Sequence, residues 1–456
     1  MGLTNTYLAL PAWLQNVAVS AYGYKLHFER YWHADVDFKH EINSNLDKTP
    51  EELANYRLER LKKVISRAAL HVPFYRDYFA REHLSAADFR SLSDLKLLPI
   101  ITREDLRRDP MRFVADDIPA DRLLYETTSG STGAPIKVFY TKDDLRRHYL
   151  FFQRLRDMSG VRRGMRRITF NSRVIMDPAR KKPPYWRYDL SENSWHFSNY
   201  HLTPETIGLY CQKIIQVNPE EIVSYPSSLH QIGRYILDQG LPRLHPVSII
   251  VSGENLLPEH QSVIEQAFLC HVTDQYGCTE KTIFVHKCHE GHFHIHNDYS
   301  IVEVLNSAGQ AITDGFGDVT TTSLFNETMP LIRYQIGDLV ELDSRISCTC
   351  GLPFPTFKGI VGRKDDFILT PSGKRIYRLA IWEGMDSVVA SQLVQHAPNK
   401  LEVRIVRDSN YSQADEDHIL TRLKMLFDDE LQVYPKYTDL IPKEKNGKFK
   451  FIVRNF

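Results

Sequence analysis

No stretch of this 456-residue chain stays apolar long enough to cross a bilayer as a helix. The N-terminal stretch Tyr7 to Tyr24 is moderately apolar, but Pro11, Gln15 and Asn16 interrupt it. It has no basic n-region and no small-residue cleavage site, so it reads as a docked helix of the fold rather than a signal peptide. A surface helix touching a membrane is the alternative. An excess of one charge is also missing: Lys plus Arg and Asp plus Glu each number 57, for a formal net charge of zero. That balance removes the electrostatic case for a nucleic-acid partner. Six cysteines are too few for a secreted disulfide scaffold of this length, and a cytoplasmic protein is expected. Low-complexity tracts and internal repeats are absent. What remains is an ordinary globular composition, 42% hydrophobic and 25% charged, in a chain long enough for two or three domains.

Apolar residues at helical spacing (Leu58, Leu61, Val64, Ile65) predict a helix over 50–80. Leu97 to Asp105 reads as a strand or turn feeding a helix, with Thr102 as N-cap and Asp105 three residues on. Further helices are predicted over Asp143 to Met158, Pro204 to Gln216 and Ser227 to Asp238. Short β-branched runs lie between and after them: Ile222–Val223, Val247 to Val251, Val319 to Thr322. Strands alternating with helices predict an α/β architecture. Near Gly362–Asp366 the pattern resets, and the remainder reads strand, strand, helix, strand. The expected division is a large N-terminal α/β domain of layered sheets and helices, residues 1–364, and a small C-terminal α+β domain, residues 365–456.

Between Tyr125 and Tyr140 lies Thr127-Thr128-Ser129-Gly130-Ser131-Thr132-Gly133-Ala134-Pro135. Two glycines three apart, filled in by hydroxyl residues, can wrap a polyphosphate with backbone N–H groups and side-chain hydroxyls as donors. No Gly-Lys-Ser/Thr closes it, which excludes a Walker A loop. A solvated linker is the plain alternative. Downstream, Tyr276 and Gly277 in Asp274-Gln275-Tyr276-Gly277-Cys278-Thr279-Glu280 offer a flat ring and close backbone approach, and Glu280 suits Mg²⁺. Asp338, after Gly337, could accept both hydroxyls of a ribose. Arg363 lies in the charged run Gly362 to Asp366, and Lys448 follows the turn Asn446–Gly447. Taken singly, these are a turn, a β-turn Asp, a charged linker and a surface lysine.

In this order and spacing, from about Tyr125 to the C-terminus, the segments resemble the adenylate-forming superfamily of acyl-CoA synthetases, peptide-synthetase adenylation domains and luciferases. His71-Val72-Pro73-Phe74-Tyr75 and Leu98-Pro99-Ile100-Ile101-Thr102 are similar to the phenylacetate-CoA ligase branch, in particular to CapK-type proteins associated with capsular polysaccharide synthesis. The resemblance implies that Thr128, Ser129, Gly130, Ser131, Thr132 and Gly133 hold the β- and γ-phosphates of ATP. It sets Ser252, Gly253 and Glu254 along the adenine, with Tyr276 stacked on it. Thr279 would contact the α-phosphate, Glu280 the Mg²⁺, and Asp338 and Arg363 the ribose. Asp365 would be the hinge and Lys448 the catalytic lysine of a mobile C-terminal domain. Tyr200, His201, Tyr225, Pro226 and Ser227 fall where relatives build the acyl pocket. One departure is Ile136, which separates Pro135 from Lys137 where the superfamily often has lysine directly after proline.

Cys288 begins a run rich in histidine, and Cys348-Thr349-Cys350-Gly351 lies well downstream. Thiolates and imidazole are the set that tetrahedral Zn²⁺ favours. Relatives in the branch imply a structural zinc on Cys288, His294, Cys348 and Cys350, with reduced cysteines and surface histidines as the alternative. Four protein ligands would leave no open position for catalysis.

The expected activity is therefore ATP-dependent formation of acyl-AMP from a small carboxylic acid, then acyl transfer to CoA. A second reading transfers the acyl or aminoacyl group to a sugar or carrier. A third, of another class, is a non-catalytic nucleotide-binding protein on a ligase fold.

Overall fold

The computed structural model describes residues 3–32, 35–128, 135–364, 366–377, 387–408, 410–427, 430–441 and 449–456, with side chains from residue 6. They fall into two compact units, each built from separated stretches of chain. One comprises Met1–Ala21, Arg163–Val272 and Val361–Phe456; the other comprises Tyr22–Arg162 and Thr273–Ile360. No described helix is long and apolar enough to cross a membrane.

In the first unit, strands Ser248–Ser252, Glu221–Ser224, Arg167–Asn171 and Ser194–Ser198 lie side by side in parallel, and Trp186–Asp189 closes the edge antiparallel. The first four residues of Ser248–Ser252 are all buried, as a strand covered on both faces requires. Helix Pro226–Asp238 presents Leu229, Ile232 and Ile236 at helical spacing to a core shared with Ile168, Ile222, Ile249 and Phe268. The C-terminal part carries its own sheet, in the order Gln432–Tyr437, Lys400–Arg407, Val388–Ala397, Ile452–Arg454. Helix Gln413–Leu426 covers it through Ile419 and Leu423, which meet Leu393, Leu401 and Ile405.

In the second unit, Ser300–Leu305, Gly315–Ser323 and Tyr334–Leu342 form an antiparallel sheet. Val272–Gly277, Phe284–Lys287, Phe293–Ile295 and Thr356–Phe357 form a second ribbon. The single helix expected over 50–80 is two, Pro50–His71 and Pro73–Arg81. Pro73 lacks the N–H that a continuing helix needs and pushes Val72 out of helical backbone, to φ −103° and ψ 114°. Thr102 caps Arg103–Arg108 with Asp105 in a capping box. Helix Lys142–Met158 is anchored from within by Arg154, 1% exposed, which donates to Asp298 at 2.6 Å and to the Ile42 carbonyl at 2.7 Å.

Candidate nucleotide and metal sites

The second unit holds Thr128 at the base of the expected phosphate loop, the turn carrying Tyr276 to Glu280, and Asp338, the aspartate expected at the ribose. Strands Leu124–Thr127 and Lys137–Tyr140 pair antiparallel, from Leu124 opposite Tyr140 to Thr127 opposite Lys137. Thr128 and Ile136 continue the ladder: the Thr128 N–H donates to the Ile136 carbonyl at 3.0 Å, and the Ile136 N–H donates to Thr128 Oγ1 at 3.1 Å. Ile136 is 1% exposed, so the residue that separates Pro135 from Lys137 is a core anchor of this hairpin. Ser129, Gly130, Ser131, Thr132 and Gly133 lie outside the described residues.

Strand Val272–Gly277 ends at the turn carrying Thr279 and Glu280. The Tyr276 hydroxyl donates to Asp338 Oδ2 at 2.6 Å. Gly337, at φ +82°, takes the left-handed backbone that precedes Asp338, a conformation a side chain would strain. Gly277 and Thr279 are exposed, whereas Glu280 is buried and accepts from the Tyr334 hydroxyl at 2.8 Å. Burial and the Glu280 carboxylate both raise the Tyr334 hydroxyl far above its ordinary range. Burial likewise pushes the Cys278 thiol up to about 12, which leaves it an unreactive thiol.

Two cations here escaped the sequence reading. Lys281, at φ +56°, pairs through Nζ with Glu126 at 2.5 Å and lies over the Tyr140 ring, while its carbonyl accepts from Tyr299. It thus ties the Thr279–Glu280 turn to the hairpin. Arg103 reaches Thr128 Oγ1 at 3.5 Å and packs 3.8 Å from where a Cβ on Gly337 would sit. Position next to Glu280 was the only signal for Lys281; Arg103 had none beyond its place after the cap Thr102.

The first unit holds Ser252, Gly253 and Glu254, the segment expected along the adenine. Ser252 ends its strand, and Gly253 at φ +81° turns the chain to Glu254. The Glu254 carboxylate accepts from the Ser227 N–H at 3.1 Å and the Phe449 N–H at 2.7 Å. Gly362, at φ +121°, faces Asn255, and Arg363 is exposed at the end of Gly359–Arg363. Asp365 and Lys448 lie outside the described residues. Of the residues expected at the acyl pocket, Tyr200 donates to the Ser172 carbonyl at 3.5 Å, and the Tyr225 hydroxyl is raised by burial, against hydrogen bonding to Ser172. Pro226 and Ser227 form the first turn of helix Pro226–Asp238. His201 is 6% exposed, stacks on Tyr185 at 5.0 Å and bonds Ser198 at 2.7 Å, which makes it a buried residue of the core.

In the second unit, ligand atoms of Cys288, His294, Cys348 and Cys350 lie within 4.8 Å of one another. The Cys288 and Cys348 sulfurs are 3.6 Å apart, close to the ~3.8 Å that two Zn–S bonds of about 2.3 Å span at a tetrahedral angle. His294 Nε2 is 3.2 Å from the Cys350 sulfur, and its Nδ1 is 2.9 Å from the Phe354 carbonyl. With Nδ1 donating to that carbonyl, Nε2 keeps its lone pair for a metal, the usual second-sphere arrangement of a ligating histidine. The donor set and its geometry fit a four-coordinate zinc.

Residues 368–455 match the family model of the CapK C-terminal domain. The chain is 27% identical to Protein CapK of Staphylococcus aureus, over 99% of both chains. It is 26% identical to a phenylacetate-coenzyme A ligase of Thermus thermophilus, over 70% of this chain and 72% of that one. Its fold is similar to that of 2-hydroxyisobutyryl-CoA ligase in the postadenylation state, with TM-score 0.72, 19% identity and coverage of 90% and 91%. The ordered motifs, the full-length relative and the shared fold agree, and the chain is a CapK-type member of the adenylate-forming superfamily of AMP-forming ligases, in its phenylacetate-CoA ligase-like branch.

Proposed function

We propose that this protein uses ATP and Mg²⁺ to convert a small carboxylic acid into acyl-AMP, releases pyrophosphate, and passes the acyl group to CoA. The hydrogen bond between Tyr276 and Asp338 carries the first half of this reading. It sets a ring suited to an adenine face beside a carboxylate suited to ribose hydroxyls. Ser252, Gly253 and Glu254 would run along the base, and Arg363 would join Asp338 at the ribose. The loop from Thr128 to Gly133 would take the β- and γ-phosphates, Thr279 the α-phosphate and Glu280 the Mg²⁺.

A carboxylate attacking the α-phosphorus brings like charges together. Mg²⁺ neutralises phosphate charge when bound, and Lys448 would neutralise the oxygens on which charge builds up. In this reading residues 365–456 form a domain that turns about Asp365, delivers Lys448 for adenylation and then presents another face for transfer. Tyr200, His201, Tyr225, Pro226 and Ser227 would shape the acyl pocket. Zinc on Cys288, His294, Cys348 and Cys350 would be structural, and reduced thiols suit a cytoplasmic protein.

CoA is favoured because the likeness to phenylacetate-coenzyme A ligases covers 70% of the chain and a ligase of the same fold binds CoA. The full-length likeness to Protein CapK favours the second reading, transfer to a sugar or carrier. Pyrophosphate exchange over a panel of carboxylic acids tests adenylation, with Lys448→Ala as the control. That variant should lose roughly 10²–10³-fold or more of the exchange while binding ATP normally. No acid-dependent exchange by the native protein would leave the non-catalytic nucleotide-binding reading.

A further inference from the structure

The adenine segment of the first unit does more in this chain than run past a base. Gly253 turns the chain so that Glu254 reaches two backbone amides from different elements. Its Oε2 accepts from Ser227 N, one of the first-turn amides of helix Pro226–Asp238 that have no partner within the helix. Its Oε1 accepts from Phe449 N at 2.7 Å. That nitrogen belongs to the peptide bond that follows Lys448. A carboxylate is suited to this task because both oxygens are acceptors, and the helix N-terminus favours its negative charge.

The surroundings reinforce the link. From the same helix Arg234 pairs with Asp408 at 2.8 Å, a second tie between Pro226–Asp238 and the C-terminal part of the unit. Beyond Phe449, Lys450 pairs with Asp366 at 3.4 Å, so the chain on the C-terminal side of Lys448 is held as well. Phe449 and Phe451 line a cleft with Ser227, His230, Leu257 and Val388, which gives the segment an apolar seat beside the polar clasp.

We infer that Glu254 is a positioning residue for Lys448: its carboxylate clasps the amide of the peptide bond after the lysine and fixes that bond to the N-terminus of helix Pro226–Asp238. The inference rests on the reading of Lys448 as the adenylation lysine and assigns the Glu254 side chain a task apart from ATP affinity. Glutamine at this position has one acceptor oxygen, and its NH₂ would face an N–H donor, so one of the two bonds is lost.

The test separates the half-reactions, using the acid that gives the fastest pyrophosphate exchange in a panel opened with phenylacetate. Glu254→Gln should lower the exchange rate at saturating ATP by about 10- to 100-fold, as loss of a charge-assisted bond implies. The KM for ATP should move less than threefold or so on the same reasoning, and transfer from the presynthesised adenylate of that acid should be retained. Phe449→Pro removes the donor from the other end and should give the same split. The double variant should be little worse than either single one, since each change alone already opens the two-sided clasp. If Glu254→Gln does not fold, Phe449→Pro alone carries the measurement. A raised KM for ATP with unchanged rate would overturn the inference, as would equal loss of both half-reactions, additive effects or no effect. Undiminished exchange by Lys448→Ala would instead sink the reading on which it rests, whatever Glu254→Gln does.

Discussion

Asp274, two residues before Tyr276, is 7% exposed, and desolvation pushes its carboxyl up to about 7, against a weaker pull downward from Lys287. The unfolded chain should titrate this group near 3.8. Between those values the folded state holds the extra proton, so the stability linked to it is complete below about pH 4 and is lost as pH rises through about 7. Asp274→Asn keeps the shape and removes the titration. The variant should lose on the order of 2–4 kcal/mol less unfolding free energy than the native protein between pH 4 and 8. Urea unfolding at the two pH values measures this, and parallel losses would show that Asp274 ionises freely. Nothing in the sequence announced that burial. The sequence reads side chains one at a time: Tyr276 as a candidate flat ring, Asp338 as a candidate paired acceptor, Glu280 as a candidate metal carboxylate. Their partnerships were not legible there, because Tyr276 meets Asp338 across 62 residues and Glu280 meets Tyr334 across 54. The Glu254 clasp spans 195 residues and was hidden for the same reason.

Elements were legible where a local rule decides them. Thr102 and Asp105 announce a helix start because the capping box is complete within four residues. The break at Pro73 was equally local, yet the apolar periodicity on its N-terminal side masked it. The Cys/His cluster shows what local rules leave open. His292, His294 and His296 fall on one face of an extended segment, so alternation alone does not choose among them. Their neighbours do: His296 is fully buried and hydrogen-bonded to His286, whereas His294 meets Cys350 and the Phe354 carbonyl. Gly291 at φ +84° and Gly351 at φ +86° turn the chain sharply after each cysteine run. A metal here would clip together segments 60 residues apart and should stabilise the unit that holds them. Purified protein should carry about one zinc per chain. Cys348→Ser should lower both the zinc content and the melting temperature while leaving ATP binding unchanged. Elemental analysis beside thermal melts decides it, and metal-free protein of the same stability would leave three reduced cysteines, a histidine and no site.

At the scale of the molecule, alternating strands and helices announced the α/β class, and the reset near Gly362 lies close to the start of the matched C-terminal family domain at residue 368. The interleaving was not legible, because each compact unit draws on stretches that lie far apart in the sequence. Function at this scale turns on the acceptor. In the proposed mechanism adenylation draws on the nucleotide motifs and Lys448, whereas transfer needs a second face for an incoming nucleophile. The proposed pivot, Asp365, supplies a way to separate the two steps. Proline there fixes φ, so Asp365→Pro should spare pyrophosphate exchange and suppress acyl transfer. The nucleophile is then identified by which addition accelerates AMP release above the slow hydrolysis of acyl-AMP. With CoA as acceptor, thioester and AMP should accumulate in equal amounts, and Asp365→Pro should abolish that stimulation. If CoA leaves AMP release unchanged while an amino sugar or a carrier accelerates it, the thioester half of the proposal fails. The sugar- or carrier-directed ligase then takes its place, on the same adenylation chemistry.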